Sequence, residues 1–313
     1  MRYVVRRLPQ LVVVLFAVTL LTFLSLNLLG DPLKAILGPQ YPDRELREQV
    51  RKDLNLDDPI PLRYVEWLGN AATGDLGRSY NTRESVSSIL KDRIPVSALL
   101  MVYAQLLALL IAVPLGIFAA AKADTAIDKS TTTATFAFVA IPSFALGVIL
   151  LYFLSVQNHV FPSRYLDDSF QDQLSSLFLP ALTLALPAAA TYTRLLRADM
   201  INTLQEDFIT TAKSKGLRQS RILFRHALRP SSFSLLTVVG LTTGALLGGA
   251  LVVENIFSIP GIGKAVVDAI FRKDYLVVQS VVLIVAFTYV IVNFVVDALY
   301  SLLDPRVRQL RAH

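Results

Sequence analysis

Residues 203–230 read TLQEDFITTAKSKGLRQSRILFRHALRP. They form the longest polar break between apolar stretches on the side that carries most of the basic residues. The order Thr203-Leu204-Gln205-Glu206 fits a capping box, in which the threonine hydroxyl accepts from the amide at Glu206 and the glutamate reaches back. Leu204, Phe208, Thr211 and Ala212 then share one helical face. Asp207 suits the start of such a helix, and Lys213 and Lys215 suit its last turn. Gly216 follows as a stop, because glycine enters the left-handed region without a Cβ penalty. Ser220 is expected to start a second short helix bearing Arg221, Arg225, His226 and Arg229, which Pro230 interrupts. The segment reads as short helix, glycine turn, basic helix, within a loop spanning 198–232. By itself this pattern is also that of a solvated basic loop obeying membrane topology.

Both flanks are apolar. Of 313 residues, 54% are hydrophobic and 17% charged, and the mean hydropathy is +0.53. That composition points to an all-α polytopic membrane protein. Six spans are expected, at about 8–29, 96–121, 133–156, 177–196, 233–253 and 276–303, each long enough for a core of about 30 Å. Pro114, Pro142, Pro180 and Pro187 fall within them and are tolerated there. The first apolar run is too long for a cleaved leader, and no A-x-A site follows it.

Charge sets the expected orientation. Arg2, Arg6 and Arg7 open the chain; Arg306, Arg308 and Arg311 close it. The loop before the fifth span holds Arg194, Arg197, Lys213, Lys215, Arg218, Arg221, Arg225 and Arg229. The loop around Asp167, Asp168 and Asp172 has Arg164 as its only basic residue. Both termini are therefore expected inside, and the net charge of +6 needs no nucleic acid to explain it. Cysteine is absent, and His159, His226 and His313 are too scattered to suggest a metal site.

The expected organisation is residues 1–29 as N-terminus and first span, 30–95 as an extracytoplasmic insert, and 96–313 as a five-span core. In the insert, Leu46, Val50 and Leu54 share a helical face, Arg63 to Leu68 suggest another short helix, and Gly74-Asp75-Leu76-Gly77 make a turn. In the fifth span Gly240, Gly244 and Gly248 recur every four residues, with Gly249 beside them. Such a stripe lets two helices approach closely, as a seam near a pathway or as ordinary packing. After it come Pro260-Gly261-Ile262-Gly263-Lys264 and a short helix over 264–271. The phosphate-loop pattern would need glycine where Ser258 stands. Asp297 is an acid within the last span. It can pair with Arg194 or Arg197, or serve a purely structural bond.

These motifs carry a resemblance. Thr211-Ala212-Lys213-Ser214-Lys215-Gly216-Leu217 and His226-Ala227-Leu228-Arg229 resemble the "EAA" loop of permease subunits in bacterial ABC importers. They are most similar to the dipeptide/oligopeptide (peptide/nickel) branch, where T-A-x-A-K-G-L and H-x-L-R are typical. Thr210 and Thr211 stand where the wider family often has Glu-Ala, and Pro230 where this branch usually has Asn. Gly30-Asp31-Pro32, Leu54-Asn55-Leu56-Asp57-Asp58-Pro59, Gly74-Asp75-Leu76-Gly77-x-Ser79 and E-x-x-F-x-x-P-G-x-G from Glu254 also match, in the family's order over nearly the whole chain.

The resemblance implies a multi-pass permease of the bacterial cytoplasmic membrane, moving peptides by alternating access. Leu204, Glu206, Asp207, Phe208, Thr211, Ala212, Lys213, Lys215 and Gly216 would couple it to an ATPase. Gly74, Asp75, Gly77, Pro260, Gly261 and Gly263 would form an outer gate or a binding-protein contact. Gly240, Gly244, Gly248 and Asp297 would serve packing or the pathway. The implied partners are a second homologous permease, two cytoplasmic ATPase subunits, an extracytoplasmic binding protein, the solute and the bilayer. ATP and Mg would sit on the ATPases, with no cofactor on this chain. Nickel or another small solute is the alternative cargo. A scaffold without transport would have no use for the loop. An intramembrane enzyme would need H-E-x-x-H, paired aspartates or a nucleophile–base pair, and none stands out.

Overall fold

The computed structural model describes residues 2–28, 45, 48, 51, 56–79 and 81–303, of which 2–8, 10–11, 26–28 and 296–303 are described by backbone alone. Helix follows helix: α1 Arg2–Leu28, α2 Ile60–Ala72, α3 Val86–Ala121, α4 Ala126–Ala140 and α5 Ser143–Gln157. Then come α6 Phe170–Leu204, α7 Asp207–Ser214, α8 Gln219–Ile256, α9 Ile262–Phe271 and α10 Tyr275–Leu303. The isolated bridge between Arg78 and Ser85 is the one β feature among the described residues. The expected face at Leu46, Val50 and Leu54, the Gly30-Asp31-Pro32 motif, Asn55, and Arg306, Arg308 and Arg311 lie outside the described residues.

Four helices are long and apolar enough to cross a bilayer, and α4 with α5 makes a fifth if that pair is one span. The span expected at 133–156, interrupted by Pro142, begins earlier, at Ala126, and turns by 102° between α4 and α5. Proline chemistry explains the bend. Pro142 has no N–H to donate, and its ring drives Ile141 out of the helical region, to φ −78°, ψ 122°. Pro180 and Pro187, by contrast, stay inside α6.

The chain divides into two compact units, Met1–Ser97 with Pro260–Ile291, and Ala98–Ile259 with Val292–His313. In the first, Phe16, Phe23 and Trp67 surround the buried Tyr64, whose hydroxyl shares a 2.8 Å hydrogen bond with Thr19. That contact fastens α2 to α1.

In the second unit α6 is the central helix, packed against α4, α5 and α8. α3 turns a ridge of small residues toward the core: Ala104, Ala108 and Ala112 are fully buried. Its opposite face is large and bare, with Leu106 and Leu110 exposed. Small inside and large outside suits a helix with lipid on one side, where close backbone approach rather than water expulsion drives association. A Cβ on Gly116 would stand 3.1 Å from Leu196 of α6, so glycine permits that approach. One core cluster joins Ala108, Ala112, Ala185, Tyr192, Leu196 and Met200 to residues of α7 and α8.

Candidate functional site

The site is built around α7. α6 runs on through Thr203 and ends at Leu204; Gln205 and Glu206 then turn the chain, their amides donating to Asn202 and Thr203 at 3.1 Å each. Glu206, extended at φ −70°, ψ 149°, precedes α7, and its carbonyl accepts from Ile209 and Thr210. The expected capping box is therefore corrected: Glu206 makes no side-chain cap, and Thr203 lies inside α6. The Thr203 hydroxyl instead meets Ser231 of α8 at 2.9 Å. The threonine hydroxyl thus meets a neighbouring helix in place of the local cap, and α6 ends one residue past it.

The face of α7 is also redistributed. Ile209 and Ala212 are buried in the core cluster with Leu196, Met200, Ile222 and Leu223. Leu204 packs against the same cluster, whereas Phe208 points out, 48% exposed. The expected common face of Leu204 and Phe208 thus splits in two, because Leu204 belongs to a different helix axis. Asp207, Thr211, Lys213 and Lys215 are exposed beside Phe208. Asp207 stands in the first turn and Lys213 in the last, each matched to the helix dipole.

Gly216 closes α7 at φ +72°. Its amide donates to Lys213 at 2.9 Å and that of Leu217 to Ala212 at 3.3 Å. These two bonds make a Schellman motif, and Leu217 packs on the core cluster to complete it. Gly216 is where the sequence placed the stop, and nothing lies within 4 Å of a Cβ built there.

The basic helix departs from expectation. It begins at Gln219 and continues unbroken to Ile256, so Pro230 does not interrupt it. A π turn at Ile222–Ala227 lies just upstream. Widening there accommodates the proline ring, which would otherwise meet the carbonyl of His226. Phe224 is 53% exposed between the exposed Arg221 and Arg225. Sequence reasoning passed over it; an aromatic alone in a basic stripe was the available signal.

In the glycine stripe, Gly240 and Gly244 are buried but Gly248 is exposed, with nothing near a Cβ built on it. Each residue turns a helix by about 100°, so a strict four-residue repeat drifts about 80° over two steps. The close contact falls on Gly249, 3.1 Å from Leu184 at its would-be Cβ. Asp297 lies in α10, its side chain outside the described residues. Of the two arginines expected to pair with it, Arg197 grips Asp128 and Arg194 lies 5.0 Å over the Phe136 ring.

In the first unit, Gly74 and Gly77 have positive φ, and Asp75 Oδ1 accepts from the Gly77 amide at 3.0 Å. A Cβ on Gly77 would stand 3.1 Å from Leu276. Ser79 and Asn81 hydrogen-bond the buried carboxylate of Asp274, a residue the sequence reading did not single out. Pro260 is exposed and Gly261 and Gly263 are buried at the start of α9, which begins at Ile262 rather than 264. The amide of Ile262 finds an acceptor in Ser97 Oγ at 2.9 Å.

Helical throughout the described residues, with several helices apolar enough to cross a bilayer, the chain is a multi-pass membrane component. The chain belongs to the family of binding-protein-dependent transport system inner membrane components, whose model matches residues 112–309; the N-terminal model of such components matches residues 1–101. It is a permease subunit of an ABC transporter, a transport component rather than an enzyme. It is 38% identical to the di/tripeptide transport system permease protein DppB of Pseudomonas aeruginosa, over 99% of both chains. Identity is 36% to the oligopeptide transport system permease protein AppB of Bacillus subtilis, over 97% of this chain and 98% of that one. It is 34% to the glutathione transport system permease protein GsiC of Escherichia coli K12, over 98% and 99%.

Proposed function

We propose that the chain is the permease subunit of a peptide importer and that α7 with its flanks, residues 204–217, docks on a cytoplasmic ATPase. The peptide cargo rests on relatives named for oligopeptides, di/tripeptides and glutathione. The observation that carries the docking assignment is the division of α7: Ile209 and Ala212 anchor it to the chain's own core, while Phe208 is left outside. An exposed aromatic on a helix locked at its C-terminal end is a handle for another protein. Two such permeases, two ATPases that bind ATP and Mg, and an extracytoplasmic binding protein complete the machine. ATP-driven closure of the ATPases moves the docking helices and rocks the helical bundles. The spans number six with both ends inside, the insert at 30–95 outside, and Gly74, Asp75, Gly77, Pro260, Gly261 and Gly263 on the outer face.

Phe208→Asp tests docking. Membrane abundance should hold while ATPase co-purification is lost; normal co-purification would remove α7 from the interface. Reporter fusions at Arg51 and Asp168 should read outside and at Lys129 inside, and a cytoplasmic signal at Arg51 would overturn the orientation. Competition between dipeptides and nickel for the uptake system decides the cargo class.

A further inference from the structure

We infer that Asp128 and Arg197 form a positioning pair that makes α7, the last turns of α6 and the first half of the bent helix pair move as one body. The inference rests on the reading of α7 as the docking helix. The pair is a two-pronged grip: Arg197 Nε donates to Asp128 Oδ1, and Arg197 Nη2 donates to Oδ2 at 2.6 Å. The Asp124 amide also donates to Oδ2, at 2.9 Å. The Asp128 side chain is 4% exposed, so water offers little replacement for these donors. One turn earlier on α6, Arg194 lies over Phe136, two turns further along α4. Two arginines three residues apart thus hold α6 to α4 at two levels.

The placement gives the grip its use. Arg197 lies between Leu196 and Met200, and both pack in the cluster that receives Ile209 and Ala212 of α7. α7 is thereby set against the same turns of α6 that hold Asp128. α4 in turn runs into the 102° bend and α5. Apolar helix faces slide over one another at little cost, whereas a guanidinium–carboxylate fork fixes both distance and direction. A push on α7 therefore reaches the bent pair through Arg197 as a displacement, without being absorbed by sliding between α4 and α6.

The chain has no cysteine, so two can be introduced for spin labels: Ser130→Cys on α4 and Asn202→Cys in the last turn of α6, both exposed sites outside the proposed interface. In the assembled complex, with and without ATP, the distance between labels should form one narrow peak. Asp128→Asn should broaden it at least about twofold and lower binding-protein-stimulated ATP hydrolysis about tenfold while ATPase subunits still co-purify. The exchange Asp128→Arg with Arg197→Asp should restore the narrow peak and at least about a third of the stimulation. Should Asp128→Asn fail to accumulate, Arg197→Lys keeps the charge, loses the fork and should broaden the peak. An unchanged peak and stimulation in an assembled single variant overturns the inference, as does an exchange that assembles and restores neither. Failure of the docking reading is read separately, from ATPase co-purification in Phe208→Asp.

Discussion

The turn at 74–79 and α7, the helix proposed to dock on the ATPase, are both short segments beside long apolar helices, and they are held by opposite means. The turn is held by polar atoms. Asp75 closes it on itself, and Asp274 Oδ2 accepts from the Ser79 hydroxyl, the Asn81 amide and the Asn81 side chain. Asp274 is 3% exposed, so those bonds have no ready substitute. α7 is held by two apolar side chains, Ile209 and Ala212, and its polar face carries no structural bond to another element among the described residues. Polar fastening leaves little room for substitution. Apolar fastening from one side leaves the other side free to meet a partner. A segment that must be recognised by another protein is better built the second way.

The contrast is broken or sharpened by four substitutions, ordered by expected loss of stability. Asp274→Ala should be the most damaging, about 3 kcal/mol, because it strands the buried Ser79 hydroxyl and removes the acceptor of two Asn81 donors. Membrane abundance and thermal unfolding of the purified complex would show it, and an unchanged melting temperature would mean the turn does not depend on this carboxylate. Gly244→Leu follows at about 2 kcal/mol, since a buried glycine position must take a large side chain. Normal assembly and transport in that variant would mean that face of α8 has room to spare.

Gly216→Val should lose about 1 kcal/mol or somewhat more, all of it backbone strain, because the position is sterically open. Its effect on stimulated ATP hydrolysis should exceed its effect on abundance, as the end of α7 loses its Schellman turn. Equal loss of both would make Gly216 a folding residue only. Phe208→Asp should be nearly neutral for stability, within about 0.5 kcal/mol, as for exposed sites in general. It should nevertheless abolish ATPase binding. A large drop in melting temperature for Phe208→Asp would erase the distinction between the two regions.

The legibility of these regions in sequence follows the same division. Gly216 was readable because a left-handed stop is a local event, decided by one residue's missing Cβ. Prolines at 142 and 230 carried the same local signal but opposite outcomes. At Pro142 the chain breaks. At Pro230 a π turn five residues wide in its bonding absorbs the ring, and which of these happens depends on what packs around the helix. The capping box failed for a similar reason: Thr203 had a local partner in Glu206 and a distant one in Ser231, and the distant one prevailed.

By itself the sequence determined that the chain is helical and membrane-embedded, where the short helix before Gly216 ends, and, by its ordered motifs, the transporter family. Those are properties of composition, periodicity and single-residue conformations, which act over a few neighbours. Tertiary structure alone decided which face of α7 is outward, that Gly249 rather than Gly248 meets α6, and that Asp128, distant in sequence, closes on Arg197. Each of those depends on the rotation of one helix against another. The apolar pattern of a membrane helix sets that rotation only weakly, because lipid and protein neighbours are almost equally apolar.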